Sequence, residues 1–170
     1  MSNVSKQVNI LVTGAGGFIG KNLSIRLDEI DEFKCLAFGR DDTVQRLSEL
    51  VAEADFIVHL AGEVKSEQVD QFEIHNVEFT KTLCSLVIDS KKTIPIIFTS
   101  SMQVARSTAH QDYARSKYDA EQVLIQFSDI HKNPVSIYRL PGVFGKWSKP
   151  NYNSVVATFC HNNARDIPLT

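Results

Sequence analysis

Apolar and polar residues follow one another along the chain in two different rhythms. Short stretches that are nearly continuous in apolar residues alternate with longer stretches in which apolar residues recur every three or four positions. The short stretches predict strands and comprise VNILVTG, FKCLAFG, ADFIVHLAG, IPIIFTSS and PVSIYRLPG. The longer stretches predict helices over residues 17–29, 43–53, 67–91, 111–131 and 151–165.

The alternation of these elements predicts the fold class. Strands that are apolar on successive positions are typical of a parallel sheet with both faces covered. Strands separated by helices indicate the same arrangement, and right-handed crossovers make a doubly wound sheet the simplest solution. We therefore predict an α/β fold of the Rossmann type, with strand order 2-1-3-4-5 and helices on both faces.

Composition narrows the class of protein further. The chain has 170 residues, 43% of them hydrophobic, and a formal net charge of −2, which suits one domain with an adequate core. A slightly negative net charge does not favour binding to a nucleic acid or to an anionic membrane. The sequence has neither the core of a signal peptide nor an apolar run of about eighteen residues, so we expect a cytoplasmic protein.

The three cysteines are Cys35, Cys84 and Cys160, and no two of them have CxxC spacing. This pattern favours neither a zinc site nor a disulfide framework. We expect buried, reduced thiols and no metal centre.

The first predicted strand leads into a glycine-rich turn, LVTGAGGFIG, and a helix follows at once. In a dinucleotide-binding fold the first glycine permits the tight turn, the second lets backbone N–H groups approach a pyrophosphate, and the third lets the helix pack closely. The helix N-terminus then attracts the anion. Glycines also occur in ordinary turns, but the position between a strand and a helix favours cofactor binding. The predicted cofactor-binding residues are Gly14, Gly17, Phe18, Ile19 and Gly20.

The end of the second predicted strand bears on the choice of dinucleotide. Arg40 lies about twenty residues past the glycine loop, where an NAD-binding fold usually offers an acid to the ribose 2′-hydroxyl. A guanidinium there can pair with a 2′-phosphate, so NADP(H) is favoured over NAD(H). In the alternative, Arg40 is solvated and Asp41 or Asp42 turns inward to the ribose.

The third predicted strand ends in HLAG. Leu60, Ala61 and Gly62 belong to the predicted cofactor site, because small residues there let the backbone approach a ribose or nicotinamide. His59 lies inside the strand, and a lone histidine in that position is more often a satisfied core residue than a catalytic one.

The fourth predicted strand supplies hydroxyl groups at the sheet edge where ligands of open α/β sheets bind, from Thr99 to Ser101. The next helix carries Tyr113 and Lys117, four residues apart and so on one face. A phenol has a pKa of about 10, and a nearby ammonium stabilises its phenolate. Carbonyl reduction needs a proton as well as a hydride. YxxxK alone is a common accident on exposed helices, but with the glycine loop it predicts a catalytic set of Ser101, Tyr113 and Lys117.

These motifs resemble those of the extended short-chain dehydrogenases/reductases, which act mostly on nucleotide-linked sugars. The resemblance extends over essentially the whole chain and includes TGxxGxxG, HLAG, the serine cluster, YxxxK and YRLPGVFGKW. It implies that Ser101 and Tyr113 contact the reacting oxygen, that Lys117 also binds the nicotinamide ribose, and that Asn76 supports the active site. Met102 and Gln103 stand where 4,6-dehydratases of the family carry an Asp-Glu pair, so dehydration is disfavoured.

The stretch FGKWSKPNYNSVVATFC closely resembles bacterial capsular-polysaccharide enzymes. Those enzymes use NADPH to reduce the 4-keto group of a UDP-linked 2-acetamido-2,6-dideoxy sugar. The resemblance implies a substrate site that includes Ser101, Met102 and Asn153. Lys146, Lys149 and Asn151 are candidates for binding the diphosphate. The alternative, that they are ordinary exposed loop residues, is equally well supported. Gly142 stands where many relatives have an asparagine, which puts the exact sugar in doubt.

The resemblance also sets expectations for the whole molecule. Residues 1–145 are expected to form the dinucleotide-binding domain, and residues 146–170 to begin a substrate-binding region that continues in relatives, so the chain is expected to be a fragment. A homodimer through helices 67–91 and 111–131 is expected. Two alternatives stay open: a nucleotide-sugar 4-epimerase with tightly bound NAD, and a module that binds a dinucleotide without chemistry.

Overall fold

The structure, a computed structural model, describes residues 7–66, 68, 70–106 and 112–168. The strands are β1 (Val8–Thr13), β2 (Phe33–Phe38), β3 (Phe56–His59), β4 (Ile96–Ser101) and β5 (Val135–Leu140). The α-helices are α1 (Phe18–Asp28), α2 (Val44–Glu53), α3 (Asp70–Phe72), α4 (Phe79–Asp89), α5 (Gln103–Arg106), α6 (Asp112–His131) and α7 (Val155–Asn163). A π-helical segment, Glu73–Glu78, joins α3 to α4.

The strands form one parallel sheet in the order β2-β1-β3-β4-β5. The predicted doubly wound α/β fold and its strand order are therefore confirmed. The order reverses direction next to β1, so the carboxyl ends of β1 and β3 flank a crevice where ligands of such sheets bind. The glycine loop and the HLAG segment both open onto this crevice.

The two faces of the sheet are covered unequally. On one face α2, α4 and α6 pack against the strands around a large apolar cluster that includes Leu47, Leu83 and Leu124. On the other face α1 covers a smaller cluster built on Val12 and Leu27. None of the helices in the described part of the chain is long and apolar enough to cross a bilayer.

The helix predicted over 67–91 is in fact α3, the π segment and α4, and its residues 67 and 69 lie outside the described residues. A π turn contains one more residue than an α turn, so it changes which side chains face inward. Residue 111, the predicted start of α6, also lies outside the described residues. The four-residue helix α5 was not predicted.

The last predicted helix, over 151–165, is shorter than expected. α7 begins at Val155 because Ser154 caps it: the Ser154 side chain accepts a hydrogen bond from the Ala157 backbone N–H at 3.3 Å. Residues 150–153 form turns instead, with Asn151 in the left-handed region at φ 56°.

Two expectations about burial are wrong. β5 lies at the edge of the sheet and exposes Ser136, Tyr138 and Arg139, so its two faces are not both covered. Cys160 is exposed on α7, whereas Cys84 is buried and Cys35 is partly buried. All three thiols are free.

Candidate functional site

The glycine loop turns tightly against the end of β3. Gly14 has φ +70°, and a Cβ there would lie 2.8 Å from the Ala61 backbone nitrogen. A Cβ on Gly20 would lie 2.2 Å from the Gly14 carbonyl oxygen. The first and third glycines of the motif are therefore required by close backbone approach, which is the reason that the sequence pattern gives for them.

The N-terminus of α1 is open toward the crevice. Among the described residues no side chain caps this helix at Gly17, and its first turn carries no acidic residue. The N–H groups at the start of a helix attract anions. A groove of about 580 Å³ adjoins the loop and is lined by Ala15, Gly16, Lys21, Ser24, Ile25, Ala37, Gly39, Asp42 and Trp147. The glycine cradle and the uncapped helix fit a dinucleotide diphosphate.

The end of β2 presents both of the groups considered for cofactor choice. The exposed Arg40 guanidinium donates to the Glu63 carboxylate at 3.1 Å. The Asp42 carboxylate accepts a hydrogen bond from the Gly39 N–H at 2.7 Å and lines the groove. The alternative in which Asp42 turns toward the ribose therefore stays open, and the preference for NADP(H) stays a prediction.

Ser101 and Tyr113 come together at the carboxyl end of β4. Burial raises the pKa of the Tyr113 phenol, and a hydrogen bond with the Ser101 side chain partly offsets that rise. The Phe72 ring packs edge-on against Tyr113 at a centroid distance of 6.1 Å. The predicted role of Lys117 in lowering this pKa stays a prediction. The phenol is held in its protonated form at neutral pH.

Lys117 lies one turn further along α6 and is 5% exposed. Its Nζ sits 4.1 Å from the centre of the Phe98 ring, a cation–π contact. Burial lowers the pKa of Lys117 to about 7, although the charge of Glu121 opposes this. The lysine therefore titrates near neutral pH, where a small electrostatic change decides its charge.

Glu121 and Arg139 form an ion pair that the sequence reasoning missed. The Arg139 Nε and Nη2 donate to the two Glu121 carboxylate oxygens at 2.9 and 2.6 Å. Burial alone would raise the pKa of Glu121, but Arg139 holds it below its usual value. The Ser100 hydroxyl lies beside this carboxylate and is buried without a hydrogen-bond partner among the described residues. The signal was present in the spacing, since Tyr113, Lys117 and Glu121 recur every four residues on one face.

His59 is a satisfied core residue, as expected. It is fully buried, and its Nδ1 and Nε2 lie 2.8 and 3.0 Å from the Thr13 and Thr80 hydroxyl oxygens. The Thr80 hydroxyl donates to the Asn76 carbonyl at 2.6 Å, so it can only accept from Nε2–H. Thr13 accepts from the Ala61 N–H and donates to Nδ1. Burial lowers the pKa of His59 to about 3, so the ring stays neutral.

Asn76, on the π segment, bridges two parts of the site. Its Nδ2 donates to the Ser116 hydroxyl at 2.9 Å, and Ser116 in turn donates to the Tyr113 carbonyl. The same amide bonds the backbone N–H and C=O of Glu63 at 2.8 and 3.1 Å. A Cβ on Gly62 would lie 2.7 Å from Asn76 Oδ1 and 3.7 Å from Lys117 Nζ. The glycine there leaves room for both side chains, and Leu60 and Ala61 bring the backbone to them.

The candidate substrate residues are less closely grouped. Met102 is exposed and directly follows Ser101, whereas Asn153 lies in the turn before α7. No hydrogen bond joins Asn153 to Ser101, Tyr113 or Lys117 within the residues that the structure describes.

The loop between β5 and α7, residues 141–154, contacts α1, the helix that follows the glycine loop. The Lys146 carbonyl accepts from Asn22, and the Lys146 ammonium lies 4.4 Å from the Trp147 ring centre. Lys149 and Asn151 are exposed. Gly142 is exposed and has open space around a potential Cβ, so an asparagine would fit there. Among the described residues no group of three or more His, Cys, Asp or Glu side chains could hold a metal ion.

Comparison with known proteins agrees with this geometry. The sequence profile of the NAD dependent epimerase/dehydratase family matches residues 10–169. The UDP-2-acetamido-2,6-beta-L-arabino-hexul-4-ose reductase of Pseudomonas aeruginosa is 46% identical over 162 residues, which are 95% of this chain and 43% of that protein.

Solved structures give the same picture. The capsular polysaccharide assembling protein CapF of Staphylococcus aureus superposes with a TM-score of 0.82 at 37% identity, over 96% of this chain and 43% of CapF. The UDP-glucuronic acid 4-epimerase of Bacillus cereus, solved with NAD, has the same TM-score at 19% identity over 95% of this chain and 65% of the epimerase, and so shares the fold. The chain spans less than half the length of the reductase and of CapF.

Proposed function

Since the chain belongs to the NAD dependent epimerase/dehydratase family, we propose that it carries the cofactor-binding and proton-transfer residues of a nucleotide-sugar reductase. The proposed reaction is the reduction of the 4-keto group of a UDP-linked 2-acetamido-2,6-dideoxy sugar during polysaccharide biosynthesis. The observation that carries the proposal is the placement of Tyr113 and the buried Lys117 one turn apart on α6, with Ser101 at the carboxyl end of β4 acting on the Tyr113 phenol. The choice of sugar is supported by the identity with the Pseudomonas reductase.

The residues of the glycine loop would hold the dinucleotide diphosphate, namely Gly14, Gly17, Phe18, Ile19 and Gly20. Leu60, Ala61 and Gly62 would line its ribose and nicotinamide end, where Lys117 lies. Bound NADPH supplies the hydride that the carbonyl carbon accepts. To bind a 2′-phosphate, the Arg40 guanidinium would break its ion pair with Glu63. Measured affinities for NADPH and NADH test this role, and NADPH should bind more tightly.

The proton-transfer residues have separate tasks. The Ser101 hydroxyl donates a hydrogen bond to the carbonyl oxygen of the substrate. The Tyr113 phenol gives that oxygen its proton as the alcohol forms, for which a protonated phenol at neutral pH is needed. The Lys117 ammonium stabilises the phenolate that remains. Met102 and Asn153 are the proposed contacts to the nucleotide-sugar.

The reductase is distinguished from its alternatives by the fate of the cofactor. A reductase consumes one NADPH for each keto sugar reduced. A 4-epimerase retains tightly bound NAD and shows no net consumption, so nucleotide released on denaturation identifies it. A module without chemistry binds NADPH saturably and reduces nothing. The comparison is made with the chain alone and with the chain joined to the C-terminal segment of the Pseudomonas reductase.

We also propose the arrangement of the whole molecule. Residues 1–145 form the dinucleotide-binding domain, and residues 146–170 begin the substrate-binding region. Exposed apolar side chains on α4 and α6, such as Ile88, Tyr118 and Ile125, support a homodimer through these helices.

A further inference from the structure

The proposed mechanism assigns no role to Glu121, a buried charged residue. Glu121 is 2% exposed, and it lies on the same face of α6 as Tyr113 and Lys117, one turn beyond the lysine. Its two carboxylate oxygens are both engaged by Arg139 from β5. A buried carboxylate is costly to maintain unless it is paired, so its presence beside the proton-transfer residues calls for a reason.

The Glu121–Arg139 pair leaves a net negative field on the Lys117 side. The Arg139 side chain is 43% exposed, whereas that of Glu121 is 2% exposed. Water screens the exposed guanidinium strongly, but it screens the buried carboxylate little. The two charges therefore do not cancel at Lys117, although the ion pair holds the carboxylate in one position.

The other groups around Lys117 add little charge of their own. His59 from β3 is neutral, Tyr113 keeps its proton, and the Glu63 carboxylate after β3 pairs with Arg40. Two uncharged groups lie close to the Lys117 Nζ, namely the Phe98 ring from β4 and Gly62, whose potential Cβ also adjoins the Asn76 amide. Among the described carboxylates, it is Glu121 whose charge raises the pKa of Lys117.

We propose that Glu121 is a positioning residue whose buried carboxylate, anchored by Arg139, keeps Lys117 charged as an ammonium next to Tyr113. The use made of that ammonium rests on the proposed function. The effect runs through space, because Lys117 forms no ion pair within 4.0 Å in the described part of the chain. The Ser100 hydroxyl can rotate to donate to Glu121 and so keep its charge fixed.

The test is a titration of Lys117 in the 170-residue chain without cofactor or substrate. Lysines are labelled with carbon-13 at Cε, and the Lys117 signal is assigned by its absence from Lys117→Met. Removing the carboxylate in Glu121→Gln should lower the pKa of Lys117 by about one pH unit. Removing the guanidinium in Arg139→Gln lets burial raise the pKa of Glu121, so the carboxylate loses charge and the pKa of Lys117 should fall in this variant as well.

A lower Lys117 pKa in both variants is the expected result, because each of them removes the negative charge of the Glu121 carboxylate. Asp119→Asn removes an exposed carboxylate from the same helix and controls for overall charge. Arg139→Lys keeps the charge and should restore a titration close to that of the unmodified chain. A Lys117 pKa that is unchanged or raised in either variant, a failure of Arg139→Lys to restore it, or a Glu121→Gln effect no larger than that of Asp119→Asn would overturn the proposal.

The proposal can be tested even if one variant fails to fold or the chain has no activity. If Glu121→Gln does not fold, the pair Arg139→Gln and Arg139→Lys still decides, because a Lys117 pKa that is unchanged in the first or lowered equally in both contradicts the proposal. The titration needs no turnover, so a chain that reduces no keto sugar leaves this inference standing. A chain that reduces the sugar while Lys117 ignores Glu121 removes the inference alone.

Discussion

At the level of single residues, Gly20 is the position of the glycine loop with the least room. A Cβ there would lie 2.2 Å from the Gly14 carbonyl oxygen, a backbone atom that cannot rotate away. Gly16, in the same loop, has nothing within 4 Å of a potential Cβ. The two glycines therefore form a matched pair.

We expect Gly20→Ala to lower the free energy of unfolding by about 1–3 kcal/mol and to weaken dinucleotide binding, because the helix must move away from the strand. Gly16→Ala should change the free energy of unfolding by less than about 0.5 kcal/mol. Denaturant unfolding and a binding titration measure both. Equal effects of the two substitutions would show that backbone approach at Gly20 is not what the loop requires.

Lys117 is expected to destabilise the fold that contains it. Its folded pKa of about 7 lies below the unfolded value of 10.5, so the folded state binds fewer protons between these values. The free energy of unfolding therefore decreases as the pH falls from 10.5 toward 7. Lys117→Met should therefore raise the free energy of unfolding by about 1–4 kcal/mol at pH 6, with the gain shrinking toward pH 10.

Lys34→Met controls for the loss of a lysine, because Lys34 is exposed on β2. It should leave the free energy of unfolding nearly unchanged at both pH values. A Lys117→Met variant that is less stable than the unmodified chain at pH 6 would contradict the cost assigned to the buried ammonium.

At the level of elements, β1, β3 and α4 are joined through His59. The direction of the hydrogen bonds requires the tautomer with hydrogen on Nε2, since Thr80 donates to the Asn76 carbonyl. The His59 pKa of about 3 lies below the unfolded value of 6.5. Stability is therefore lost as pH falls from 6.5 toward 3, by up to about 1.4 kcal/mol for each pH unit.

We expect nitrogen-15 NMR to find His59 neutral and protonated on Nε2 at pH 5, because burial lowers its pKa to about 3. The ring should keep this state when the pH is raised from 5 to 8. A His59 signal that titrates within this range would disprove the buried, directional network.

Some of the elements and site residues could be predicted from the sequence, and others could not. The glycine loop, the strand order and the Tyr113–Lys117 face follow from local spacing, and a family resemblance supports them. The π segment could not be predicted from spacing, because its extra residue produces no hydrophobic pattern that differs from that of the neighbouring α-helices. Glu121 and Arg139 lie eighteen residues apart on different elements, so only packing brings them together. Asn153 was assigned by resemblance alone, and no hydrogen bond joins it to Ser101 in the part of the chain that the structure describes.

At the level of the whole molecule, the exposed apolar residues of α6 bear on the proposed dimer. Tyr118 and Ile125 are two turns apart on one face, whereas Ile130 lies on another. If the face forms an interface, Ile125→Glu should produce a monomer by burying an unpaired charge, and Ile130→Glu should not. Sedimentation velocity measures both, and a monomer before any substitution would remove the proposal.

In the proposed reaction, Tyr113 donates the proton in a reduction that consumes NADPH. The most direct measurement is the oxidation of NADPH in the presence of the UDP-linked 4-keto sugar, using the chain joined to the C-terminal segment of the Pseudomonas reductase. Tyr113→Phe is compared with Tyr118→Phe, an exposed tyrosine on the same helix. We expect one NADPH consumed per sugar, a rate about 10²–10⁴-fold lower for Tyr113→Phe, and no change for Tyr118→Phe. Undiminished turnover by Tyr113→Phe would contradict the account.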